Sequence, residues 1–203
     1  MRTRPAAFAL LAALVATGCA SSDWAKTQSV PGGKLYIPKL YAPLLPGSIY
    51  PDKKVPLPAK GRPALVVACP AKGDCRKDVI LDQAAHRGFV VLVGREPKDD
   101  LLRTRVEADA ERIGWLLVRP DEDFLRRWTR AGAQGAATAV IGPPPFPSYP
   151  SKHLLFAALH SAEPPEARDG MVLKLYSPNE KGLLPNEAFR DAVEWLAGEL
   201  DSK

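Results

Sequence analysis

The sequence predicts an α/β protein built on an open, mostly parallel sheet flanked by helices. Continuous apolar runs such as ALVVAC (64–69) are typical of strands that are buried on both faces. Segments in which apolar residues recur at helical spacing alternate with these runs along the chain. This order predicts parallel strand–helix–strand units with right-handed crossovers.

The chain begins with MRTRPAAFALLAALVATGC, in which Arg2 and Arg4 precede a short apolar run that ends in small residues and Cys19. A run of this length indicates a secretory signal rather than a membrane span. The pattern resembles a bacterial lipobox, which implies that residues 1–18 are removed and that Cys19 is lipidated. An ordinary signal peptide with a chance cysteine is the alternative.

The lipobox resemblance implies a membrane-anchored lipoprotein whose partner is membrane lipid, bound through Cys19. Stable anchoring needs more than one acyl chain, and a diacylglycerol with an N-acyl chain such as palmitate would supply it. Ala20 stands where an aspartate would favour retention in the inner membrane. We therefore expect the outer membrane, with the domain facing the periplasm.

Removing residues 1–18 from the 203-residue chain leaves 185 residues, enough for one domain with its own core. The formal net charge of +5 falls to +3 when Arg2 and Arg4 leave with the signal. Basic residues are scattered among Asp and Glu, so the charge predicts a solvated surface and no nucleic-acid partner.

Three regions of the mature chain are predicted. Residues 19–33 are small, polar and turn-rich, which predicts a flexible tether. Residues 34–62 form a proline-rich extended segment that packs on the domain, and KLYIPKLY (34–41) could pair at a sheet edge. Residues 63–203 form the folded α/β domain.

Strands and helices alternate in that domain. Strands are predicted over 64–69, 89–94, 153–160 and 171–177, and helices over 75–88, 99–120 and 186–200. Gly88 is expected to cap the first helix. Residues 123–132 are predicted to be a strand with an unusually charged interior, and 133–142 a short helix that continues into apolar backbone.

The order and spacing of these segments resemble the α/β-hydrolase superfamily, in its dienelactone-hydrolase and carboxylesterase-like branch. RPALVVACPAKGDC corresponds to a strand and oxyanion loop, and AAHRGFVVLVGRE to the next helix and strand. WLLVRPDEDFLRRWTRAGAQGAA corresponds to a helix, turn, strand and nucleophile elbow. MVLKLYSPNEKGLL and EAFRDAVEWLAGEL correspond to the last strand, the histidine loop and the closing helix. The resemblance covers about residues 60–202 and implies a reduced α/β-hydrolase-like fold.

The resemblance also implies that the Ser-His-Asp triad has been lost. The family's elbow, G-x-S-x-G, aligns with residues 131–135 and places Ala133 at the nucleophile position. Lys181 takes the histidine position, and Glu163 is the carboxylate nearest the acid position. An alanine methyl cannot attack a carbonyl, and a protonated lysine is a poor base. Pro70 removes a backbone donor from the oxyanion loop.

Few other side chains offer chemistry. Cys69 and Cys75 could form a disulfide, stay as free thiols or act as a redox pair, and Cys75 could also be a nucleophile. His86 is expected to cap a helix, and His153 has no evident partner. His160 and its neighbouring serine should point to opposite faces of a strand end. No metal site and no cofactor are predicted.

These features predict a pseudoenzyme, a non-catalytic binding or scaffolding module of the cell envelope. Its partner besides lipid would be an envelope protein or a small hydrophobic ligand. Two alternatives remain open: an active esterase with an unrecognised nucleophile, and an envelope structural protein of another α/β fold.

Overall fold

The computed structural model describes residues 25–38, 40–41, 55–56, 63–70, 75–105, 108, 110–131, 137–142, 153–160 and 169–201. The strands are β1 (Ala25–Val30), β2 (Gly33–Pro38), β3 (Leu40–Tyr41), β4 (Val55–Pro56), β5 (Ala64–Ala68), β6 (Val90–Gly94), β7 (Ile113–Val118), β8 (Ala137–Ile141), β9 (His153–Leu159) and β10 (Met171–Tyr176). The helices are α1 (Lys77–His86), α2 (Asp100–Arg105), α3 (Glu122–Arg130) and α4 (Asn186–Asp201), and a 3-10 turn (Ala110–Arg112) precedes β7.

Eight of these strands form one open sheet in the order β1-β2-β6-β5-β7-β8-β9-β10. β2 runs antiparallel to both of its neighbours, and the other neighbouring pairs are parallel. β3 and β4 form a separate antiparallel pair. The predicted fold class, an open and mostly parallel sheet flanked by helices, is confirmed.

The antiparallel edge of the sheet corrects the predicted tether. Residues 25–33 form β1 and the turn into β2, and the β1–β2 ladder runs from Ala25↔Pro38 to Val30↔Gly33. Leu35 and Tyr36 anchor this edge because both side chains are buried. β1 in turn pairs with β2, whose edge would otherwise be exposed. The predicted edge pairing of KLYIPKLY is confirmed for β2, whereas residues 19–24 lie outside the described part of the chain.

The core has two layers because the central strands are buried on both faces. Alternate residues of β5 contribute to each layer, with Leu65 and Val67 facing α1 and α4, and Val66 facing α2 and α3. This arrangement explains why β5, β7 and β8 are continuous apolar runs rather than alternating ones. Gly114 in β7 gives α4 room, since a Cβ there would lie 3.2 Å from carbons of Leu196 and Leu200.

The predictions for residues 99–142 are wrong in three places. The predicted helix 99–120 ends early at α2, and the run IGWLLV is β7, whose six residues are all buried. The predicted strand 123–132 is α3, and the predicted helix 133–142 contains β8. Apolar residues at three- and four-residue steps suggested a helix, but a short run that is buried on every side forms a strand instead.

α3 is a helix because its buried residues have helical rather than alternating spacing. Leu125 and Trp128 lie three residues apart and face the core, while Arg126, Arg127 and Arg130 are exposed. The charged interior of the segment is therefore the solvent face of an amphipathic helix. Asp121 begins this helix, since its carboxylate accepts a hydrogen bond from the Phe124 N–H at 2.7 Å.

Candidate functional site

The candidate site lies at the carboxyl edge of the sheet, where the chain direction across the sheet reverses. The chain leaves β5 for α1 on one face, but it leaves the neighbouring β7 for α3 on the other face. The two connections diverge and open a crevice between the strand ends. Ligands of open α/β sheets bind in such crevices.

A cavity of about 240 Å³ fills this crevice. We call it the arginine cavity, because Arg95, Arg119 and Arg127 line it together with the ends of β5 and β7. Two carboxylates, Glu96 and Asp121, are also in its wall. Three arginines against two carboxylates leave the wall with one net positive charge.

Arg119 occupies the sharp turn between β7 and α3. Its backbone has φ +46°, in the left-handed region that residues other than glycine seldom adopt. The Arg119 N–H donates to the Ile141 carbonyl at 2.8 Å, which ties the turn to β8. Gly142, with φ +112°, lies against this turn, since a Cβ there would be 3.1 Å from Cγ of Arg119. Contacts with Ile141 and Gly142 thus fix the turn. The Arg119 side chain is exposed at the carboxyl edge of the sheet.

The arginines of the cavity differ in their partners. Arg127 Nη2 lies 2.7 Å from Glu96 Oε1, but both side chains are more than half exposed, so this ion pair contributes little to stability. Arg95 and Arg119 have no carboxylate partner among the described residues. Two guanidinium groups therefore remain available to an anion in the crevice.

A second cavity of about 430 Å³ adjoins the first on the α3 side of the sheet. We call it the tryptophan cavity, because Trp115 and Trp128 line it, with ring centroids 5.6 Å apart in an edge-to-face arrangement. Phe124 and the Glu96–Arg127 pair belong to the walls of both cavities. The two cavities thus meet at these three side chains.

Cys69 and Cys75 form a disulfide across the loop that follows β5, with Cα atoms 5.5 Å apart. The Cys69 N–H donates to the Gly94 carbonyl at 2.8 Å, which fixes the start of this loop to the end of β6. In this oxidised form neither sulfur is a thiolate, so neither can serve as the cysteine nucleophile considered from the sequence. Cys69 and Pro70 form part of the arginine cavity wall.

The elements on either side of the predicted elbow do not have the order that an elbow needs. Ala133 lies outside the described residues, but the helix α3 precedes 132–136 and the strand β8 follows it. A nucleophile elbow needs the reverse order, a strand and then a helix. The described chain has that order at Arg119, fourteen residues earlier, because β7 precedes the turn and α3 follows it.

Of the other predicted triad and lipidation residues, only Lys181 lies in the described part of the chain. Lys181 lies in the turn after β10, exposed, and its N–H donates to Asn179 Oδ1 at 3.0 Å. Glu163 and Cys19 lie outside the described residues. The structure therefore does not place Lys181 beside either of the other predicted triad positions.

The three histidines lie away from both cavities. His86 is in the last turn of α1, and its Nε2 lies 3.9 Å from Asp82. His153 lies at the opposite edge of the sheet from the arginine cavity, where its Nδ1 is 2.9 Å from Glu199. The backbone N–H of His160 donates to the Tyr176 carbonyl at 3.1 Å. None of the three lines either cavity.

The described ranges contain no group of three or more His, Cys, Asp or Glu side chains that could hold a metal ion. None of the described helices combines the length and the hydropathy needed to span a membrane.

Sequence reasoning missed Arg119, although a local signal was present. Asp121 followed three residues later by Phe124, with Leu125 and Trp128 at helical spacing, is typical of a capped helix start. A helix beginning there would have placed the strand–turn–helix junction at Arg119.

No protein-family model and no curated protein matches this chain. Among solved structures, the chain is similar to a "putative carboxylesterase" from Lactobacillus plantarum, with 10% sequence identity and a TM-score of 0.47. The match covers 86% of this chain and 97% of that one. Identity this low leaves activity and ligand to be argued from the residues of the site.

Proposed function

We propose that this chain is a lipid-anchored protein of the bacterial envelope whose α/β-hydrolase-like domain binds a ligand without catalysing its hydrolysis. One observation carries the proposal: the strand–turn–helix junction at the carboxyl edge contains Arg119-Pro120 where a hydrolase needs a nucleophile and an oxyanion donor.

The nucleophile position supports a non-catalytic site. In an α/β-hydrolase elbow, a strained strand-to-helix turn holds the nucleophile above the sheet. Arg119 has the positive φ of such a turn, but its guanidinium is permanently protonated and has no lone pair with which to attack a carbonyl. The geometry of the elbow is retained while its reactive atom is replaced by a positive charge.

The oxyanion position supports the same conclusion. The hydrolase oxyanion hole uses the backbone N–H of the residue after the nucleophile and another N–H from a loop beside it. The residue after Arg119 is Pro120, and the loop after β5 contains Pro70, and both line the arginine cavity. Proline has no N–H, so each of these positions lacks a donor for a tetrahedral intermediate.

Membrane attachment rests on the sequence of residues 1–19, which resembles a lipobox ending at Cys19. We propose that lipid on this cysteine holds the domain at the outer membrane, facing the periplasm. The disulfide between Cys69 and Cys75 supports a compartment outside the cytoplasm, because such bonds persist in oxidising environments.

Turnover of an activated ester such as naphthyl acetate tests this function. The full chain is expected to give no hydrolysis above the rate measured with the heat-denatured chain. Saturable turnover that is lost on denaturation would contradict the proposal and would favour the alternative, an active esterase with an unrecognised nucleophile. The Arg119→Ala variant is the matched control, because turnover that it leaves unchanged would locate the active group away from the elbow.

A further inference from the structure

The geometry points to a small amphipathic monoanion as the ligand of the two adjoining cavities, with its carboxylate on Arg119 and Arg95 and its apolar body against the tryptophans. This inference rests on the proposed non-catalytic function, because it assigns a ligand class to the same site. Its parts follow from the charge, shape and lining of the cavities.

The head-group site is the arginine cavity. Arg119 and Arg95 are exposed at the strand ends and have no carboxylate partner among the described residues, whereas Arg127 is already paired with Glu96. A guanidinium presents planar donors that fit a carboxylate in bidentate geometry. The wall carries one net positive charge, which matches a singly charged head better than a dianion.

The N-terminus of α3 is not the anion site. The Asp121 carboxylate already accepts a hydrogen bond from the first turn, and Glu122 and Asp123 follow it. These negative charges oppose an anion at the helix end, so the arginine side chains must supply the attraction. An arginine variant therefore changes binding without disturbing the helix cap.

The body site is the tryptophan cavity, whose volume of about 430 Å³ lies within the range of small-molecule pockets. Trp115, Trp128 and Phe124 form its aromatic side, which favours an apolar group, although both tryptophans are nearly fully buried. Lys98, Asp99 and Asp100 also line this cavity. Phe124 also lines the arginine cavity, so one molecule can extend from the head-group site to the body site.

Isothermal titration of the full chain with phenylbutyrate tests this inference, and phenylbutyramide is the matched neutral ligand. The amide has the same body but lacks the charge. We expect the acid to bind with a dissociation constant of about 1 mM or tighter, and the amide to bind at least about tenfold more weakly, since a charge-assisted hydrogen bond is lost. Titration of each ligand into the detergent buffer without protein gives the background for that ligand.

Variants distinguish the contribution of the carboxylate to binding from that of the apolar body. Arg119→Asn is compatible with a left-handed backbone and should weaken the acid about tenfold while leaving the amide unchanged. Arg119→Lys should restore part of the loss. Trp128→Phe should weaken both ligands by a similar factor. Arg126→Gln on the outer face of α3 is the matched control and should change neither ligand, because Arg126 lines neither cavity.

Three results would overturn the inference. Equal binding of acid and amide would mean that the cavities capture apolar groups without a head-group site. An effect of Arg126→Gln as large as that of Arg119→Asn would mean diffuse attraction by surface charge. Absence of binding of either ligand to the wild-type chain, shown by circular dichroism to be folded, would exclude this ligand class. None of these results depends on ester turnover, so failure of the inference is distinguishable from failure of the proposed function.

Discussion

Substitutions at Arg119 test whether the β7–α3 junction is the strained turn of the fold. An L-residue other than glycine pays roughly 1–2 kcal/mol in the left-handed region that Arg119 occupies at φ +46°. Glycine enters this region freely, although it gives the unfolded chain more freedom, which costs about 0.4–1 kcal/mol. The difference predicts that Arg119→Gly is neutral or stabilises the fold by up to about 1.6 kcal/mol.

The same reasoning predicts the opposite result for a β-branched residue. Arginine already pays the general cost of a positive φ, and valine adds the steric cost of its β-branch, so Arg119→Val should lower the free energy of unfolding below that of the wild type. Urea unfolding followed by circular dichroism, with the disulfide intact, measures both variants by linear extrapolation.

Arg126 provides the matched control because it lies in the middle of α3 on the exposed face. In a helix interior glycine costs about 1 kcal/mol and valine less, so Arg126→Gly should be the less stable of the pair. The ranking of glycine and valine is thus expected to reverse between the two positions. If valine is tolerated as well as glycine at position 119, the strained-turn reasoning is refuted.

Three further predictions concern stability. Replacing both Cys69 and Cys75 by serine should lower the free energy of unfolding by about 2 kcal/mol, because the disulfide closes a loop of sequence separation 6. Urea unfolding measures this loss. Gly142→Ala should cost about 1–3 kcal/mol, since φ +112° is strained for an L-residue, and the melting temperature should fall. Burial, followed by a hydrogen bond to Asp191, raises the pKa of Tyr176 above its usual range. The unfolded phenol therefore ionises first, near pH 10, so the stability contributed by Tyr176 is lost as pH rises from there towards the folded pKa. Tyr176→Phe should reduce the alkaline decline in urea-unfolding free energy.

Each of these three predictions has an outcome that contradicts it. A serine pair as stable as the wild type under oxidising conditions would mean that the disulfide does not constrain the unfolded chain. An unchanged melting temperature for Gly142→Ala would show that the backbone there is not strained. If Tyr176→Phe loses stability above about pH 10 as steeply as the wild type, the ionisation of another group is responsible.

The sequence predicts β5 and β9 because each of these strands is surrounded by apolar core on both faces. ALVVA and HLLFAAL are buried on both faces, and a continuous apolar run is the direct consequence. The closing helix α4 is long and amphipathic, so its periodicity also predicts it. Gly88, with φ +69°, ends the α1 turn as expected.

The middle of the chain could not be predicted in the same way. Residues 99–142 contain short elements, and six buried residues in β7 match helical and strand patterns equally well. Only the pairing of β7 between β5 and β8 decides the matter, and that pairing joins residues far apart in the sequence. Because of this error, the predicted strand–helix junction fell near Ala133 rather than at Arg119.

The candidate site was only partly predictable for a related reason. The resemblance assigns Pro70 to the oxyanion loop, and the structure shows Pro70 in the wall of the arginine cavity. Arg95 follows β6 and Arg119 follows β7, so these two arginines line one cavity only when the sheet forms. No spacing along the chain predicts that these two side chains line the same cavity.

The central claim is that the proposed elbow at Arg119 lacks a working nucleophile. The intact mass of the full chain, measured after exposure to a serine-directed fluorophosphonate, tests it most directly. The account predicts that the mass is unchanged, because Arg119 stands at the nucleophile position and Pro120 supplies no oxyanion donor. Stoichiometric addition of one phosphonyl group to the native chain, absent after denaturation, would contradict it.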